Sequence, residues 1–158
     1  MKNVIFCLSI ILLGLGISPL HAAPSDLPSG TAKGTFSREG ETPAVLTHAA
    51  AFVDQKDEEK PVILILTDIK LPTESWTSEF DMMMQMGKLK FSGIAFFLNK
   101  EGTVFRCDNY VKGRQESASG VFELKLDKKD GKELTGTASV PDATEKHKLD
   151  VSFHATLK

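Results

Sequence analysis

A mainly β, α+β single domain is predicted by three observations: most of the chain reads as short runs with a two-residue hydrophobic period, two of its polar interruptions are tight hairpin turns, and only one segment has a helical period. The expected architecture is a twisted, mostly antiparallel sheet of about seven or eight strands, curled or folded into two layers, with one amphipathic helix packed on it. Its interior is nearly all aliphatic and aromatic.

Taken in order, TPAVLTHAAAF alternates, with Leu46, His48, Ala50 and Phe52 on one face and Val45, Thr47, Ala49 and Ala51 on the other. VILIL, Val62 to Leu66, is apolar on both faces and reads as a central buried strand. The helix is expected over about 74–86, in TESWTSEFDMMMQMG. Thr73 or Ser75 can cap its start, and Gly87 suits its end. Trp76, Phe80, Met83, Met84 and Gly87 form one apolar stripe at helical spacing, expected to face the sheet and to leave Met82 and Met86 outside. VILIL and GIAFFL flank the helix, and both need cover on their outer faces.

Two turns join the next strands. Asn99 to Gly102 links FSGIAFFL to TVFRCDNYV, and Asp127 to Gly131 links GVFELKL to ELTGTASV. RQESASG reads as a polar loop. The final run, KLDVSFHATLK, places Leu149, Val151, Phe153, Ala155 and Leu157 on one face and polar residues on the other.

The first 23 residues read as a secretory signal peptide: Lys2 precedes an apolar run from Val4 to Leu15, and Ala22 and Ala23 form a cleavage zone. A Pro- and Ser-rich stretch, 24–32, reads as a flexible lead-in, and the domain is expected over 33–158. The location expected is secreted or periplasmic, with no membrane span once the leader is removed.

Loss of Lys2 with the leader takes the balance from 19 basic against 21 acidic residues to 18 against 21, a formal −3. Nothing in that balance attracts nucleic acid. Cys7 leaves with the leader, so Cys107 is the one remaining thiol and no intramolecular disulfide can form. Its apolar neighbours by strand parity favour a buried, inert thiol. A monomer held together by packing is expected.

Three stretches, LTHAAAF, VILILTDIKLP and LDVSFHATL, resemble the pattern of an uncharacterised secreted bacterial β-rich domain family. That pattern has a strand ending in His-Ala, then Ser or Thr with Asp before Leu-Pro, then a closing strand with Phe-x-Ala. The resemblance implies export and a single domain, and it brings no activity.

Candidate chemistry is sparse. His48 and Asp68 can meet across the sheet, either as a core histidine locked by a carboxylate or as a catalytic pair. No G-x-S-x-G elbow supplies a nucleophile, and Ser117 and Ser119 lack its strand-to-helix setting. No H-E-x-x-H or C-x-x-C occurs, and His147 and His154, seven apart in a strand, point to opposite faces. Met82 and Met86, one helical turn apart, can form an adaptable apolar contact or half of a Cu(I) site. The leading expectation is an exported non-enzymatic binding module without cofactor, taking a small apolar ligand or another exported protein through Trp76, Met82, Met86, His48 and Asp68. The alternative is copper handling or a hydrolase-like enzyme built on His48 and Asp68.

Overall fold

The computed structural model describes residues 26–141 and 146–158, and the backbone alone within 128–130. The expected leader, with Cys7, and the first residues of the lead-in lie outside the described residues. Nine strands are seen among the described residues: β1 (Thr31–Arg38), β2 (Ala44–Val53), β3 (Val62–Thr67), β4 (Gly93–Leu98), β5 (Val104–Val111), β6 (Arg114–Ser117), β7 (Glu123–Asp130), β8 (Glu133–Ser139) and β9 (His147–Thr156). A 3-10 turn (Thr73–Ser75) and one helix, α1 (Glu79–Met86), fall between β3 and β4.

All strands belong to one antiparallel sheet in the order β6-β5-β4-β3-β2-β1-β9-β8-β7. The fold is therefore the predicted mainly β domain with one helix, its sheet single and curled where the sequence left curling or two layers open, with β1 and β6 added to the strands read from the sequence. The curl follows from the connections. Laid flat, β6 and β7 would stand eight spacings apart, about 38 Å at ordinary strand separation. The link through 118–122 spans at most about 20 Å between Ser117 and Glu123, so the two edges must bend toward each other. Arg38 of β1 meets Glu116 of β6 at 2.6 Å, and Phe36 packs edge-on against Phe122, with ring centres 6.2 Å apart.

Among the described residues the sheet is not closed into a barrel, and β6 and β7 are its two edges. Every neighbouring pair is antiparallel, including β1 with β9. Counting reversals outward from β1, β6 and β7 run the same way, so these edges cannot extend the antiparallel ladder to each other.

The sheet has two apolar layers. Inside the curl lie Phe36, Leu46, Leu64, Leu66, Ile94, Phe96, Cys107, Val151 and Phe153. Outside, Phe52, Ile63, Ile65, Ala95, Phe97 and Tyr110 are covered by Trp76, Met82, Met86, Leu71 and Phe91. β3 and β4 are buried at every position because they take part in both layers.

The helix covers those two strands as expected, but with the opposite face. Met82 and Met86 are 0% and 2% exposed, while Phe80, Met83 and Met84 are 64%, 49% and 53% exposed. The cause is the helix start. Ser78 is extended and its side chain accepts from the Asp81 N–H, so the helix begins at Glu79 rather than near 74. Trp76 precedes it in extended backbone at the end of the 3-10 turn, and its burial says nothing about which way α1 faces. Among the described residues nothing covers the outward stripe of Phe80, Met83 and Met84.

RQES, expected as loop, is β6, paired with β5 and exposed along its length. β1 begins at Thr31, ahead of the expected domain start at Lys33. The chain just before it is already bonded to β9: the Gly30 N–H donates to His154 O at 2.8 Å, and His154 Nδ1 lies 2.7 Å from Leu27 O.

Candidate functional site

A cleft of about 380 Å³ opens on the outer face of β2 and β3. Its floor is a two-by-two block, because His48 pairs across the strands with Thr67 and Ala50 with Ile65. Ala50 is the small member of the block, and it leaves depth beside Ile65. One wall is the segment after β3, with Lys70, Leu71, Thr73 and Glu74; the other combines Ser29 and Gly30 before β1 with Thr156 at the end of β9 and Lys158 beyond it.

Both walls are tied down. The Ala49 N–H donates to Gly30 O at 3.1 Å, the Lys158 N–H donates to Ala51 O at 3.1 Å, and the Ser29 and Thr156 hydroxyls bond each other. The Lys158 side chain bridges the cleft's end: Nζ donates to Thr73 Oγ1 at 3.2 Å and lies 3.8 Å from Glu74. Lys70 reaches the same carboxylate at 3.8 Å. A backbone hydrogen bond, then Lys158 and Lys70, hold the Glu74 carboxyl below its ordinary range, so it is an anion between two cations.

His48 enters this cleft because it shares the outer face with Ala50 and Phe52, as strict alternation predicts. Leu46, expected on that same face, lies instead in the inner layer with Ala49 and Ala51. The β1–β2 register shifts at the same level, between Thr31 and Gly34. His48 is half-buried on the outer face rather than locked in the core by a carboxylate. The Thr47 hydroxyl donates to Asp68 O at 3.3 Å, which leaves its oxygen to accept from His48 Nδ1 at 2.9 Å. That assignment makes Nε2 the acceptor nitrogen of the neutral ring.

The expected His48–Asp68 contact does not form. The Asp68 carboxylate accepts from the Ser92 N–H at 2.9 Å and lines a separate, shallower hollow with Lys90, Phe91 and Lys112. The Thr67 hydroxyl is engaged, donating to Ile69 O at 2.7 Å. Among the described residues no three or more His, Cys, Asp and Glu side chains come together as a metal site.

The remaining candidates are dispersed. Trp76 packs edge-on against Phe52, with ring centres 5.9 Å apart, inside the outer layer. Met82 and Met86 lie in the same layer, so neither is a surface contact nor half of an open copper site. Cys107 is buried in the inner layer, and desolvation pushes its thiol far above the ordinary range, which keeps it protonated and unreactive. Phe105, two positions before it and on the same face by strand parity, is on the other side: β5 carries an irregularity opposite Phe97 and Leu98 that turns Phe105 outward against Phe97.

Sequence reasoning missed Lys70, Thr73, Glu74 and Lys158. The i, i+4 spacing of Lys70 and Glu74 was legible, but Lys158 is 84 positions from Glu74 and only the curl brings them together. No protein-family model matches this chain, and no curated protein or solved structure is found similar to it.

Proposed function

We propose that the protein is an exported, non-enzymatic binding module that holds a small ligand in the cleft over His48, Ala50, Ile65 and Thr67. The observation that carries the reading is the cleft itself, whose volume falls within the range of small-molecule sites. It combines the apolar Ala50, Ile65 and Leu71 with a few fixed polar groups. Catalysis would need an activated nucleophile or a histidine oriented by a carboxylate. His48 is oriented by a threonine hydroxyl and the nearby hydroxyls are engaged, an arrangement that suits recognition.

The test is a fragment screen by NMR on the mature protein, with Ala50→Trp as the blocking variant. The expected result is that bound fragments shift the His48 and Thr67 signals and lose affinity at least tenfold in the variant, with its circular dichroism spectrum unchanged. Fragments that bind elsewhere and ignore the substitution would overturn the reading.

A further inference from the structure

We infer that the cleft takes a small amphipathic carboxylate, with its anionic head at Lys70 and Lys158 and its aliphatic part on Ala50, Ile65 and Leu71. The inference rests on the reading of the cleft as a binding site and adds the ligand's chemistry. Two lysines and one glutamate are the permanently charged side chains lining it. Both ammonium groups stand 3.8 Å from the same Glu74 carboxylate, which places two cations about one internal anion. A ligand carboxylate can join or displace Glu74 there.

Of the two donors, Lys158 is held before any ligand arrives, while Lys70 is largely exposed. Lys158 is fixed through its backbone to Ala51 and through Nζ to Thr73, and Thr73 is buried. The Thr73 hydroxyl accepts from that ammonium and keeps its own proton to donate. Little side-chain freedom is lost at Lys158 on binding. The rest of the lining mixes Gly30, Ala49, Ala50, Ile65 and Leu71 with the polar but not permanently charged Ser29, His48, Thr67 and Thr156. Ala50, Ile65 and Leu71 give an aliphatic part its contact, the two ammonium groups give an anionic head its partners, and the volume, low in the range for such sites, favours a short chain.

The experiment compares octanoate, octanol and acetate by NMR titration of the mature protein, following the amides of Ala50 and Thr67. Octanoate is expected to bind at least tenfold more tightly than either of the others. The double variant Lys70→Gln with Lys158→Gln should lose at least tenfold for octanoate and nothing for octanol. Glu74→Gln should tighten octanoate several-fold, because the competing carboxylate is gone. Equal binding of octanoate and octanol would overturn the charge assignment and leave the cleft standing as an apolar site. Acetate as tight as octanoate would overturn the amphipathic assignment. If none of the three shifts the cleft amides at millimolar concentration, this inference fails, and the binding reading stands or falls separately on the fragment screen with Ala50→Trp.

Discussion

Met82 and Met84 are two positions apart in one short helix, and their environments are opposite: the first has no exposed surface and the second is half exposed. A segment written EFDMMMQM has an apolar stripe on either side, so its periodicity identifies the helix without saying which side faces the sheet. The difference is measurable. Met82→Ala should destabilise the protein by about 2–5 kcal/mol, as for a large side chain removed from a packed core. Met83→Ala and Met84→Ala should stay within about 0.5 kcal/mol, as expected for surface positions. Denaturant midpoints of the three variants check the phase of the helix directly. His48 teaches a similar lesson. Its place on one face with Ala50 and Phe52 was legible, but that this face lies outside the curl, and that Leu46 turns away from it, were not.

Elements are joined here by side chains that terminate one and start another. Asp54, just past β2, accepts from the N–H groups of Lys56 and Asp57 at 2.9 and 3.2 Å, and its second oxygen accepts from the Glu79 N–H at 2.8 Å. One buried carboxylate thus shapes the turn after β2 and satisfies a free donor at the start of α1. Asp54→Ala strands three donors and should cost about 1–3 kcal/mol. The signature should be local as well, with hydrogen exchange accelerating in α1 while β8 and β9 stay protected. Uniform acceleration across the sheet would show that α1 does not depend on this pin. The helix end of the pin was not readable from sequence, because Asp54 and Glu79 are 25 positions apart.

At the scale of the molecule, the curl rests on contacts between its far strands. His147, at the start of β9, packs edge-on against Phe122 with ring centres 5.5 Å apart, beside the Arg38–Glu116 pair. Desolvation, with Arg38 adding to it, lowers the imidazole pKa below 6.5. The folded state therefore binds fewer protons at this site than the unfolded state once pH approaches the unfolded value. Stability linked to His147 is complete above about pH 6.5 and falls as pH drops through the lowered folded value. In His147→Gln, the loss of stability between about pH 7 and 5 should be shallower than in the parent. Melts over that range check it, and identical slopes would mean that His147 does not titrate against the fold.

The seam between β1 and β9 shows why β1 escaped notice. Gly34 interrupts a weakly alternating run, and a Cβ there would stand 2.0 Å from Asp150 O, so the close approach of β9 demands the one residue that weakens a strand signal. β6 was hidden for a related reason: RQES has no apolar residue and is a strand only through its ladder with β5.

Alternation, turn chemistry and one helical period were enough to specify a β-rich domain with a helix over VILIL and GIAFFL, since these depend on neighbours a few residues apart. The turn at Asn99 is of this kind, closed by Gly102 N–H to Asn99 O at 3.0 Å with Gly102 at φ 87°. The face of α1, the place of His48 and the cleft that joins Glu74 to Lys158 depend on bulges and on how far the sheet curls. Those are settled by packing between segments distant in the chain, where a single added residue reverses a face and no local pattern records it.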